Sequence, residues 1–113
     1  MKNIAKGLLA LSIIFGVGCA NVDITKTGSG YYEPTDANKV EILKTKPEKA
    51  YTELGTLTVT GFEAGEVAKM HNAIRQKAAP LGADAVIITE EGMVPGGFGT
   101  YTRWATGVAV KYK

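Results

Sequence analysis

Residues 66–91 read EVAKMHNAIRQKAAPLGADAVIITEE, and a change of rhythm inside this stretch decides the fold. In its first part Val67, Met70, Ile74, Ala78 and Leu81 recur every three or four residues, with Lys69, Arg75 and Lys77 elsewhere on the cylinder. That spacing predicts an amphipathic helix over 66–81. Pro80 belongs to a last turn, and Gly82 stands where a left-handed C-terminal cap is needed. The apolar residues then become continuous. Ala85-Val86-Ile87-Ile88 are apolar on both faces, the pattern of a central strand over 84–91.

Upstream, Val40–Leu43 predicts a short strand that stops before Pro47, and Tyr51–Phe62 a longer one. In the longer strand Leu57 and Val59 face one side, while Thr56, Thr58 and Thr60 face the other. Gly55 interrupts the alternation and predicts a bulge or a close backbone approach. Downstream, Gly92–Thr100 holds four glycines and one proline and reads as a wide turn. Tyr101–Tyr112 then alternates strictly. Trp104, Val108, Val110 and Tyr112 lie on one face, with Ala105, Gly107 and Ala109 on the other. The expected architecture is α+β in the order β-β-α-β-β, with one helix packed on one face of a four-stranded mixed sheet. Ile74, Val86, Ile88 and Val108 are expected between helix and sheet. The second face would then present Thr56, Thr58, Thr60, Ile87, Ala105 and Ala109. These stretches carry no charge, and such a face suits a protein partner or a second copy of the chain. Its alternative cover is the 20–38 arm, docked through Tyr31 or Tyr32.

The N-terminus has its own logic. Met1–Lys6 carries two lysines and no acid, and Gly7–Val17 is apolar or small throughout. This is the charged start and short apolar run of an export signal, too short to span a hydrocarbon core. The next residues, Gly16-Val17-Gly18-Cys19, resemble the lipobox of bacterial lipoproteins, in which small residues precede a cysteine that is lipidated and becomes the new N-terminus. Gly18 and Val17 fit the motif, Cys19 is the implied acceptor, and Gly16 departs from the usual leucine. The resemblance implies 1–18 as signal peptide, 19–38 as lipidated N-terminus and tether, and 39–113 as the α/β domain. It places the mature protein in the cell envelope, with the membrane as its partner through the lipid on Cys19. Ala20, where Asp would retain a lipoprotein in the inner membrane, implies the outer membrane facing the periplasm in a Gram-negative cell. The polar run Thr25–Gly30, with Glu33–Asp36 behind it, is consistent with a linker.

Tyr51-Thr52-Glu53-Leu54-Gly55, followed by Leu81-Gly82-Ala83-Asp84-Ala85-Val86-Ile87, resembles small α/β envelope lipoproteins and, loosely, the fold of the Rcs envelope-stress sensor lipoproteins. The likeness covers about residues 50–90, and its motifs describe packing rather than chemistry. The stress sensors rely on disulfides; this chain has one cysteine and can form none internally.

Little chemistry is written in the chain. Lys2 and Lys6 fall in the signal, so the mature part balances eleven basic against eleven acidic side chains. That excludes the basic excess needed for nucleic acid or a polybasic membrane contact. His71 is the sole histidine; Glu66 lies five residues away on another side of the helix, and no metal or other cofactor set is expected. Ser29, the one serine after the signal, lies in the linker and offers no nucleophile. Pro95-Gly96-Gly97-Phe98-Gly99 leads into a strand, not a helix, and therefore reads as a hairpin tip rather than a phosphate loop. Trp104 is expected in the core, whereas Phe98 at the tip has no core to join. The leading expectation is a non-catalytic binding or structural lipoprotein. The alternative is a small hydrolase or ligand-processing domain using His71 with the strand-end acids Asp84, Glu90 and Glu91, which requires those groups to converge.

Overall fold

The structure, a computed structural model, describes residues 20–113; the signal segment and Cys19 lie outside them. Five strands form one mixed sheet: β1 Asn21–Lys26, β2 Glu41–Leu43, β3 Tyr51–Glu63, β4 Ala85–Gly97 and β5 Thr100–Tyr112. Their order across the sheet is β1-β3-β5-β4-β2. One α-helix, α1 (Val67–Ala78), continues as a 3-10 turn over Ala79–Leu81 and ends at Gly82, which is left-handed at φ 88°. The α+β class with a single α-helix on a mixed sheet is as expected. The strand count is corrected from four to five.

The added strand is β1. Asn21–Lys26 was expected to belong to a tether, yet Val22 and Ile24 alternate with Asn21, Asp23 and Thr25 and pair antiparallel with β3. Val22 is buried, and Ile24 packs against the same core. Two apolar residues are a faint signal within a polar stretch, and the edge of β3 supplies the partner they need.

Strands β3 and β4 run in the same direction, each antiparallel to β5, which lies between them; β2 pairs parallel with β4. Helix α1 therefore crosses over one strand position, and the hairpin return β5 fills the gap. The main core lies under the helix, where Met70, Ile74 and Ala78 meet Leu54, Leu57, Val59, Phe62, Val86 and Ile88. Ile74, Val86 and Ile88 are where the periodicity put them.

Strand β5 faces the other way from expectation. Ala105 and Ala109 are fully buried on the helix side, and Val108 lies on the opposite face with Ala85, Ile87 and Val110. The alternation holds, but the larger residues point away from the helix-side core. Beneath a helix that already contributes Met70 and Ile74, the central strand needs small side chains, and the bulk goes to the other face. At Gly107, on the small-residue face, even a Cβ would come within 2.7 Å of the Ile87 carbonyl oxygen.

Bulges set the registers. A shift between Glu53 and Gly55 lets both Leu54 and Leu57 enter the core, as the break in alternation suggested. Gly55 is the close approach itself: a Cβ there would lie 2.6 Å from the Thr25 carbonyl oxygen of β1. The wide turn expected over 92–100 is instead a continuation of both strands, closed by Phe98 and Gly99. Pro95 is tolerated there because β2 is only three residues long, leaving that side of β4 without a neighbour.

Candidate functional site

The two long connections cross the sheet on opposite faces. Residues 27–40 leave β1 and pass the C-terminal end of α1, where Thr35 N–H donates to the Ala79 carbonyl at 2.9 Å. Tyr32 packs into the helix-side core, 5.7 Å from its ring centroid to Lys111 Nζ, and Tyr31 is exposed. The arm therefore does not cover the open face, as one expectation had it. Residues 44–50, by contrast, run from the edge strand β2 across the sheet to β3, and Lys49 Nζ sits 4.6 Å from the Tyr112 ring centroid. The open face at that end is correspondingly closed: Ala85 and Val110 are fully buried, with Leu43, Tyr51, Val108 and Tyr112 packed around them.

Between this strap and the sheet lies a groove of about 260 Å³. Ile87 and Val108 form its floor, Tyr51 and Glu53 one side, and Lys44 and Lys46 the strap side. Farther along the same face, Thr56, Thr58 and Thr60 are exposed, and Thr106 and Val108 stand beside them on β5. Of the residues expected on this face, the structure brings together Thr56, Thr58, Thr60 and Ile87. Ala105 and Ala109 are removed from it, and Thr106 and Val108 take their place. The face is not free of charge: Asp23 pairs with Thr58, Glu53 with Val110 and Glu90 with Thr106. Trp104 lies on this face, half-buried rather than in the helix-side core, its indole over Gly92.

The acid–base set does not converge. Asp84 sits at the start of β4, where its carboxylate accepts from Tyr112 N–H at 2.9 Å and lies 3.8 Å from Lys111 Nζ. Glu90 is six residues up the strand on the open face, and Glu91 points to the helix side, 3.1 Å from Lys44 Nζ. His71, half-buried on α1, has its pKa lowered by desolvation first and then by the nearby positive charge of Arg75. Among the described residues there is no group of three or more His, Cys, Asp or Glu side chains placed to hold a metal ion. Two other groups are perturbed for local reasons. Glu66 is held below the usual carboxylate range because it accepts from Glu63 N–H, closing the turn that leads into α1, and because it bonds Lys69. Burial pushes the Tyr112 hydroxyl up, helped by the charge of Glu41 and Asp84.

The most conspicuous feature was only half legible in sequence. Past the last β3–β5 pair, Glu63–Thr102, strands β4 and β5 continue alone as a two-stranded arm. It exposes Tyr101 and Phe98, with Met93 and Val94 exposed at its base opposite Arg103 and Thr102, and Phe98 protrudes completely at 108 % exposure. Phe98 has φ 52°, between Gly97 at 91° and Gly99 at 77°. Three successive left-handed residues make the chain reversal, and the Thr100 hydroxyl donates to the Gly97 carbonyl at 2.6 Å across it.

The fold and its grooves define an α+β domain with a strapped open sheet face and a projecting hairpin. A solved structure of the Francisella virulence factor FvfA is similar, with a TM-score of 0.56 at 14% identity over 80% of this chain and 98% of that one. The likeness is one of fold. No protein-family model and no curated protein sequence matches the chain.

Proposed function

We propose that the chain is an exported lipoprotein of the cell envelope, anchored through lipid on Cys19, whose domain serves as a non-catalytic binding or structural module. The observation that carries this reading is the charged start and short apolar run ending in Val17-Gly18-Cys19. The position of β1 supports it: the strand begins at Asn21, two residues after the acceptor cysteine, and a lipid on that cysteine would lie close to the sheet. Several acyl chains on one cysteine hold a protein firmly where a single chain would not. Ala20 favours the outer membrane in a Gram-negative cell. No helix among the described residues is long and apolar enough to cross a membrane. Binding on this reading uses the open sheet face around Thr56, Thr58, Thr60, Ile87, Thr106 and Val108, toward a protein partner or a second copy.

Mass spectrometry of the mature N-terminus tests the anchor. A diacylglyceryl-modified Cys19 is expected, with Cys19→Ala leaving the precursor uncleaved in the inner membrane. A mature chain beginning elsewhere, or a free thiol at Cys19, overturns the proposal.

A further inference from the structure

From Val94 to Thr102 the hairpin carries no charged side chain; Phe98 and Tyr101 are exposed on the free arm, and Val94 and Met93 are exposed at its base, Met93 opposite Arg103. Single apolar residues on a surface are ordinary, but a run of them leading along a protruding element to its tip marks a contact. The backbone is shaped to present them. Phe98 is held in a left-handed conformation disfavoured for a residue with a Cβ, and its ring touches no core. Glycine would satisfy the same turn without strain, so the turn itself does not explain phenylalanine.

The register of the sheet says which way the tip points relative to the anchor. Asn21 pairs with Thr60, next to the level at which Phe62 pairs with Arg103 and Arg103 with Met93. The N-terminal end of β1 and the free arm therefore leave the sheet at the same end. From Thr102 to the tip the arm adds on the order of 10 Å, at about 3.3 Å per residue. Cys19 precedes β1 by two residues, so a bilayer holding its lipid lies off this end. We infer that the tip of the β4–β5 hairpin, led by Phe98, inserts into the interfacial layer of the membrane that holds the lipid. This rests on the lipoprotein reading above.

The charges near the base decide what drives the insertion. Lys69 and Arg103 are balanced there by Glu63 and Glu66, with Glu90 and Glu91 farther down β4. There is no basic excess to attract anionic headgroups, so apolar burial drives the contact, and Tyr101 and Phe98 suit the headgroup boundary where aromatic side chains collect.

The test uses the full lipidated chain, reconstituted in phosphatidylcholine vesicles, with Phe98→Trp combined with Trp104→Phe so that one indole reports on the tip. Mass spectrometry of the same sample reports the lipid. The expected result is a blue-shifted emission quenched by lipids brominated on their acyl chains and insensitive to salt. Residues 20–113, which hold all five strands of the described sheet and the core beneath the helix, supply a second arm without lipid. Their binding to the same vesicles should weaken about tenfold or more in Phe98→Asn, because one large apolar side chain leaving water is worth at least a decade in an equilibrium constant. Asparagine tolerates the left-handed turn, so this variant folds. Lipid present with an unquenched, water-exposed Trp overturns the insertion and leaves the anchor standing. Absence of lipid together with vesicle binding that depends on Phe98 overturns the anchor and keeps the membrane-seeking tip. A tip that binds no vesicles but cross-links to an envelope protein assigns it to a protein partner, and the inference is wrong.

Discussion

At Ile74 the helix meets the sheet with no exposed surface left, among Val59, Val86 and the small residues of β5. Ile74→Ala should cost about 2–5 kcal/mol in denaturant unfolding, because the site is closed on all sides and collapses poorly around a cavity. Gly107 is a different kind of dependence. Gly107→Ala places a methyl 2.7 Å from the Ile87 carbonyl oxygen, and since that neighbour is backbone of the central sheet, the strands must part. The variant is expected to melt well below the parent, and equal melting would show that β4 and β5 can shift. His71 gives a pH signature. Its folded pKa is depressed by desolvation and Arg75, so the unfolded chain binds the extra proton more readily. Its contribution is complete above the ordinary histidine range and is lost as pH falls through the lower folded value. His71→Gln should therefore flatten the decline of stability on acidification from neutrality, as read by thermal melts at a series of pH values.

Among the elements, the helix was legible from its periodicity and Gly82 cap, and β4 from its unbroken apolar run, although the centre of the sheet is β5 and β4 lies one place out, between β5 and the edge strand β2. The threonine face of β3 was legible too, since Leu57 and Val59 had to point inward. What stayed hidden depended on neighbours. β1 forms because β3 offers it an edge, and which face of β5 is inward depends on how close α1 lies. Thus Ala105 and Ala109 could be grouped correctly from alternation and still be placed on the wrong side. The candidate face was half legible: four of its residues follow from β3 and β4 alone, whereas Thr106 and Val108 required the pairing of β5. If that face docks a partner or a second copy, Thr56→Arg and Thr58→Arg should abolish the association in sedimentation or pull-down while leaving the fold intact, because both side chains are exposed. An unchanged complex would mean that the face is simply solvated. Removing residues 20–26 should do something else, exposing the bare edge of β3 and promoting aggregation, visible by light scattering.

Among the described strands, only β4 and β5 are both consecutive in the chain and adjacent in the sheet; every other pairing joins distant segments. Such topology requires long loops to close before contacts reward them, so refolding is expected in roughly the millisecond-to-second range rather than in microseconds. Stopped-flow fluorescence of Trp104 measures this directly, and a microsecond rate would show that the β4–β5 hairpin and helix fold without waiting for the outer strands. The slab is thin, with extents of 54 × 40 × 22 Å, and its long connections gather at the end away from the hairpin tip. The position of β1 also has a mechanical meaning. On the proposed lipoprotein reading, a chain held by lipid at Cys19 would take any pull through Asn21, directed along β1 and away from Lys26. Because β1 lies antiparallel along β3 for six residues, that pull slides one strand past the other and loads the rungs together, instead of peeling them open in turn. An anchor there would hold the domain in the direction in which a sheet edge resists force best, whereas a load applied at Lys26 toward the sheet's outer side would unzip the same strand at far lower tension.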